Sequence, residues 1–222
     1  MNQLLFLKKF NHFVIFLLIL SIVLSCNKGV QEQKIVYFND FQDNDLQVIS
    51  GGLISTYNNS KVLGRYNNDG FGLRLDQLPT HDLLEISFDL YIHDSWDGNG
   101  KFPNGPDNWK LEIEGSNFIS TTFSNNECAI NTCIPQSYPF NYLNNNQNPK
   151  TGANLTELPG VCLWPGRLRG TTMYKIIKKI RHSTSTFSMR CLDELQQSNT
   201  SLPICDESWS VDNLEIKTVK ID

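Results

Sequence analysis

The chain has 222 residues, with 19 Lys and Arg against 23 Asp and Glu, and a formal net charge of −4. That length suits one domain carrying an insertion, and an acidic chain repels phosphate backbones, so nucleic acid is excluded as an expected partner. Asparagine falls in clusters (Asn58-Asn59, Asn67-Asn68, Asn144-Asn145-Asn146), and asparagine favours turns, so these clusters mark loops between short elements.

At the N-terminus Lys8 and Lys9 precede an apolar run, Phe13 to Leu24, of about a dozen residues, shorter than the roughly 20 that a membrane span needs. The run closes on Val23-Leu24-Ser25-Cys26, which resembles the lipobox of bacterial lipoproteins. The resemblance implies cleavage after residue 25, lipidation of Cys26, and the membrane as a partner through buried acyl chains. The alternative is an ordinary secretory signal with a stray cysteine. Residues 1–25 then form the signal, 26–33 a polar lipidated tether, and 34–222 the folded domain. Asn27 after the cysteine resembles the enterobacterial pattern for outer-membrane delivery, with periplasmic or cell-surface exposure left open.

In chain order, strands are expected at Lys34–Phe38, Val62–Tyr66 and Phe71–Leu75. The clearest follows: Leu84, Ile86, Phe88, Leu90 and Ile92 alternate with Glu85, Ser87, Asp89 and Tyr91. Period two over nine residues is a half-buried antiparallel strand. Trp109, Leu111 and Ile113 alternate with charged residues in the same way, and Phe118–Phe123, Thr172–Ile180, Thr184–Cys191 and Trp209–Val219 complete the set. Thr171–His182 also suits a helix by spacing, but its β-branched content favours a strand. About nine short strands with few helices predict an all-β fold, a two-sheet antiparallel β-sandwich of the jelly-roll, lectin-like type.

Residues 125–169 break this rhythm. They hold Cys128, Cys133 and Cys162, with Pro135, Pro139, Pro149, Pro159 and Pro165, and show no sustained periodicity. They read as a long insertion in which disulfides substitute for a missing core. Five cysteines beyond Cys26 cannot all pair within one chain. Cys191 and Cys205 bracket a polar loop and form the first expected pair, with two of Cys128, Cys133 and Cys162 as the second. No Cys-x-x-Cys pair or adjacent histidine suggests a zinc site.

Three stretches carry the candidate chemistry: Val62–Gly70 (Val-Leu-Gly-Arg-Tyr-Asn-Asn-Asp-Gly), the run from Ile86 through His93-Asp94-Ser95-Trp96-Asp97-Gly98 to Asn125, and Asp206–Ile216 (Asp-Glu-Ser-Trp-Ser-Val-Asp-Asn-Leu-Glu-Ile). Together they resemble a secreted β-sandwich domain of bacterial surface and PEP-CTERM-type sorting-signal proteins. The last also resembles the final strand of carbohydrate-binding modules and lectin-like jelly rolls. The resemblance covers roughly residues 34–124 and 170–219. It implies a jelly roll outside the cell and carries no activity, because folds host many functions.

Asp94, Asp97, Asn99 and Asp107 sit among glycines, an oxygen-rich loop suited to calcium, which takes six to eight oxygens. The plainer alternative is a polar loop whose aspartates cap turns. A second calcium position would bring Asp40 or Asp43 to Asp212. Trp96 and Trp164 lie in loop sequence and are either sugar-stacking platforms or plugs for the sandwich ends. Arg65 is expected to pair with a carboxylate and hold its turn, or to contact an acidic ligand. There is no Gly-x-Ser-x-Gly, His-Glu-x-x-His or phosphate-cradling glycine loop. His93 beside Asp94, and Glu112 with Glu114, are the remaining candidates for acid-base work. The expectation is a lipid-anchored extracytoplasmic binding module for carbohydrate or adhesion. The alternatives are a structural envelope lipoprotein that docks to protein, or a hydrolase hidden in the insertion.

Overall fold

The computed structural model describes residues 29–128, 133–143, 145–198 and 200–222. Twelve strands follow one another: β1 (Val30–Asn39), β2 (Ile49–Ser50), β3 (Ile54–Tyr57), β4 (Ser60–Tyr66), β5 (Gly70–Leu75), β6 (Leu83–Asp94), β7 (Asn108–Ile113), β8 (Ser116–Thr122), β9 (Leu155–Pro159), β10 (Leu168–Arg181), β11 (Phe187–Glu194) and β12 (Glu207–Ile221). Among the described residues one short helix, α1 (Pro203–Asp206), precedes β12. One sheet has the order β3-β4-β12-β6-β10-β9, with β1 also on β12; the other is β2-β5-β11-β7-β8. Every pairing between these strands is antiparallel. The chain crosses between the sheets at β1 to β2, β2 to β3, β4 to β5, β5 to β6, β6 to β7, β8 to β9, β10 to β11 and β11 to β12, the winding of a jelly-roll sandwich.

The alternating patterns position the core. Leu84, Ile86, Phe88, Leu90 and Ile92 of β6 are fully buried, as are Trp109 and Leu111 of β7 facing them. Each such side chain contributes about 1.5–3 kcal/mol when removed from water. Thr171–Arg181 is strand: β10 pairs with β6 without a break from Thr171↔His93 to Arg181↔Leu83. Three strands were not evident in the sequence. β2 and β3 are short, and β9 lies inside the insertion.

The Leu63-Gly64-Arg65 motif has a steric cause. Gly64 adopts φ +128°, and a Cβ there would lie 2.8 Å from the Trp209 carbonyl oxygen of β12, so only glycine lets the two strands approach. The Asn67-Asn68-Asp69 turn is held by Asp193, whose carboxylate accepts the N–H groups of Asn68 (2.7 Å) and Asp69 (3.2 Å) and the indole N–H of Trp209 (2.8 Å).

Two expectations are corrected. The polar tether assigned to 26–33 ends earlier, because Val30 already pairs with Ile221, so ladder hydrogen bonds order a sequence whose composition suggested none. The cysteines pair as Cys162–Cys205 and Cys128–Cys133, not Cys191–Cys205. Cys191 takes an inward position of β11 between Phe71 and Leu111 and is completely buried as a free thiol. Strand period places it in the core, out of reach of any partner. Cys26 lies outside the described residues.

Candidate functional site

The end of the sandwich that gathers the loops after β6, before β7 and before β12 holds most of the sequence-expected residues. Asp94 closes β6 with φ +62° and is fully buried. Its Oδ1 accepts the backbone N–H groups of Val161 and Trp164, and its Oδ2 that of Cys162, each at 3.1 Å. Burial pushes its carboxyl up from the ordinary value, and those three donors and Arg65 pull the other way. Asp94 therefore anchors the 160–165 turn that carries the Cys162–Cys205 bridge, and its oxygens are spent on protein.

Asn99 is equally committed. Its Oδ1 accepts the Thr122 and Ser137 hydroxyls, and its Nδ2 donates to the Asn145 carbonyl (2.8 Å) and Asn146 Oδ1 (2.9 Å). Asp97 and Asp107 do converge: the Asp97 N–H donates to Asp107 Oδ2 at 2.5 Å, and Asp107 Oδ1 accepts the Gln196 N–H at 3.4 Å. They are joined by two residues absent from the expected set, Asp206 and Glu207. Burial first, then the charge of Asp97, holds the Asp107 carboxyl up to about 8. Burial followed by the charges of Asp107, Asp97 and Asp206 pushes Glu207 up to about 11. Both carboxyls are thus held toward the protonated form, and Glu207 Oε2 has no hydrogen-bond partner among the described residues. The signal for Glu207 was its place at the start of the closing strand, opposite Asp94.

At the second expected calcium position, Asp212 is raised to about 6, by burial first and then by the charges of Asp89 and Asp40, with Lys175 opposing. Asp40 thus lies near Asp212, but its Oδ1 accepts the Gln42 N–H. Among the described residues no three His, Cys, Asp or Glu side chains are placed to hold a metal ion. Of the four residues expected to line a calcium loop, Asp94 has its oxygens engaged by backbone N–H groups and Asn99 its oxygen by the Thr122 and Ser137 hydroxyls, while Asp97 and Asp107 come together.

Of the two readings of the loop tryptophans, Trp96 takes that of a plug and not of a sugar platform. Trp96 is fully buried, donates its indole N–H to the Ser208 carbonyl at 2.9 Å and meets Phe123 edge-on. It is a core residue. Trp164 is half-buried, and the Arg167 guanidinium covers its ring at 4.9 Å. Arg65 forms no ion pair among the described residues. It donates to Ser208 Oγ (3.0 Å) and to the Ile204 carbonyl (2.5 Å), tying β4 to α1.

His93 is fully buried between the Thr171 and Ser210 hydroxyls, and burial lowers it to about 3, so it is neutral and out of contact with solvent. Glu112 pairs with Arg190 at 3.5 Å and Glu114 accepts the Ser188 N–H at 2.7 Å on the outer face of the second sheet.

Above the buried carboxyls lies an open cleft of about 340 Å³, between Phe102, Pro106, Asn108, Tyr142, Glu194 and Gln196. Phe102 is 80% exposed. Tyr142 comes from the insertion, held by its N–H on the Ser120 carbonyl of β8 at 2.9 Å. Asn108 exchanges hydrogen bonds with Ser120, and Glu194 pairs with Lys110. Sequence reading passed over Phe102 and Tyr142 in favour of larger tryptophans. Their signal was an aromatic set among Gly, Pro and Asn with no apolar periodicity to bury it.

The insertion is held by buried amides more than by its disulfides. Asn125 donates to the carbonyls of Asp94 and Gly170, both at 2.8 Å. Gln136, fully buried, accepts the Lys150 N–H at 2.9 Å and donates to the Thr151 carbonyl at 3.0 Å. The Cys128–Cys133 bridge spans only five residues.

No protein-family model matches the chain, and no curated protein sequence matches it. Among solved structures, it is similar to dimeric latent PorU from Porphyromonas gingivalis, at TM-score 0.45 and 9% identity over 88% of this chain. The chain spans 14% of that PorU chain. It is also similar to a family 35 carbohydrate-binding module from Clostridium thermocellum (TM-score 0.36, 12% identity, 83% of this chain and 97% of that one). A third is the CBM22-2 xylan-binding domain from Paenibacillus barcinonensis (TM-score 0.36, 14% identity, 82% and 98%). At this similarity no residue or ligand is carried across.

Proposed function

We propose that this chain is a lipid-anchored, extracytoplasmic binding module whose ligand is carbohydrate. The cleft at Phe102 and Tyr142 carries that reading. A sugar ring presents an apolar face of C–H groups edged by hydroxyls. An exposed aromatic can cover such a face, while Asn108, Gln196 and Glu194 supply donors and acceptors for the hydroxyls.

The test is a glycan and polysaccharide array probed with the purified chain, followed by titration calorimetry on any hit. Binding that weakens at least tenfold in Phe102→Ala and Tyr142→Ala, but not in Trp164→Ala, supports the cleft. Binding that survives both cleft substitutions removes it.

The anchor rests on the Val23–Cys26 motif. Radiolabelled palmitate entering the protein, and failing to enter Cys26→Ala, is the expected outcome; label retained in Cys26→Ala overturns it. Calcium is a separate proposal, in which the ion replaces the protons on Asp107 and Glu207 and draws Asp97 and Asp206 inward. It is supported by the approach of Asp97 to Asp107 and by the Glu207 oxygen that has no hydrogen-bond partner among the described residues. A melting temperature equal in millimolar calcium and in chelator would sink it.

A further inference from the structure

The two sheets do not close along one side of the sandwich. β9 covers only the upper part of β10, pairing at Leu168, Thr171 and Met173. Just below, the Asn154 N–H donates to the Met173 carbonyl (2.8 Å) and the Lys175 N–H donates to Asn154 Oδ1 (2.7 Å), so odd-numbered backbone groups of β10 face away from β6. Period two then places the N–H and C=O groups of Ile177, Lys179 and Arg181 on the same side, with no strand beside them among the described residues. Across the gap lies β8, the last strand of the other sheet. Its upper half is covered by the insertion through Tyr138 and Tyr142, and its lower half is open. The groove between these edges has a volume of about 350 Å³, with Phe118, Ile119, Tyr138, Phe140, Ile177 and Lys178 along it. Ile177 is 57% exposed and Phe140 52%.

The charge along this edge is distinctive in an acidic protein. The strand reads Lys175-Ile-Ile-Lys178-Lys179-Ile-Arg181. Lys175 is paired with Asp89 at 3.1 Å and Lys179 with Glu85 at 2.9 Å, while Lys178 and Arg181 make no ion pair among the described residues. Lysines on an open edge discourage casual pairing, and they also select a partner of opposite charge.

We propose that this edge receives an extended acidic segment of another protein, added as a further antiparallel strand on β10. Its apolar side chains lie on the inner face against Phe118, Ile119 and Phe140, its carboxylates on the outer face meet Arg181, and Lys178, which lines the groove, adds positive charge at the inner rim. A second copy of this chain is a poor occupant, because β10 against β10 sets these cations against each other. The N-terminal 28 residues contain no Asp or Glu and offer no complement either. The groove and the Phe102 cleft meet at one turn of the insertion, Phe140 and Asn141 lining the first and Tyr142 the second, but the proposal rests on the open edge of β10 and not on the carbohydrate reading.

The test uses the full chain in detergent and hydrogen exchange read by mass spectrometry, with a ten-residue peptide alternating valine and glutamate as the probe. Slowed exchange confined to 175–181 is expected, together with at least tenfold weaker binding to Lys178→Glu and to Arg181→Glu. Folding of each variant is checked by its unchanged melting curve, and Lys178→Gln should retain intermediate affinity. A valine–lysine peptide should not bind, nor should the acidic peptide with its ladder-facing nitrogens methylated. Equal binding of acidic and basic peptides, protection elsewhere in the chain, or self-association through this edge overturns the proposal.

Discussion

Glu207, the first residue of β12, lies against Asp107, the residue before β7, and both carboxyl groups are buried. Two such groups cannot both ionise cheaply in a low-dielectric site, so the folded protein keeps protons that the unfolded chain releases near pH 4. The folded values, about 8 for Asp107 and about 11 for Glu207, lie above the unfolded ones. The folded state therefore binds more protons across this range, and stability falls as pH rises from about 4 through 8 and beyond. Thermal melts from pH 5 to pH 9 should show a declining melting temperature. Glu207→Gln should flatten that decline; an unchanged slope in the variant would show that other groups cause it.

Asp94 holds three backbone N–H groups of the 160–165 turn. An orphaned buried donor costs about 1–3 kcal/mol, and less when half-buried. Asp94→Ala should lose on the order of 3 kcal/mol in urea denaturation, and Asp94→Asn, which keeps one acceptor oxygen, about half of that. A calcium site built on Asp94 predicts instead that both variants lose only their response to calcium.

The disulfide pattern is open to direct mapping. Non-reducing peptide mass spectrometry should recover Cys162 linked to Cys205, and Cys191 should resist alkylation until the protein is denatured. Closing a loop with a sequence separation of 43 stabilises by about 4 kcal/mol in the chain-entropy model. Replacing Cys162 and Cys205 together by serine should cost up to that amount, whereas Cys191→Ala should cost far less.

Trp96 and Phe102 separate packing from recognition. Trp96→Ala empties a fully buried site and should destabilise by about 3–5 kcal/mol. Phe102→Ala removes an exposed ring and should leave the melting temperature within a degree or two while weakening glycan binding. Calorimetry of both variants checks each half.

Local pattern was enough for the sheets. Period-two alternation in β6 and β7 reports which face is buried, since successive side chains of a strand point to opposite sides. That made the all-β sandwich legible, with nine of its strands near their observed places. β2 and β3 are too short to carry a period, and β9 is hidden in an irregular segment that Asn125 and Gln136 hold through contacts distant in sequence. The acidic loop was visible as composition. Which acids converge was not, because Asp107 meets Glu207 from a hundred residues further along the chain, and Asp94 turns instead to the insertion.

By itself the sequence determined the strand faces, the acidic charge and the apolar run that ends at Cys26, all of which depend on neighbours along the chain. Tertiary structure alone decided that Cys205 reaches Cys162, that Trp96 is core while Phe102 faces solvent, and that β10 ends with an open basic edge. Each of those is a relation between segments that only folding brings together, and no local propensity encodes which distant group arrives.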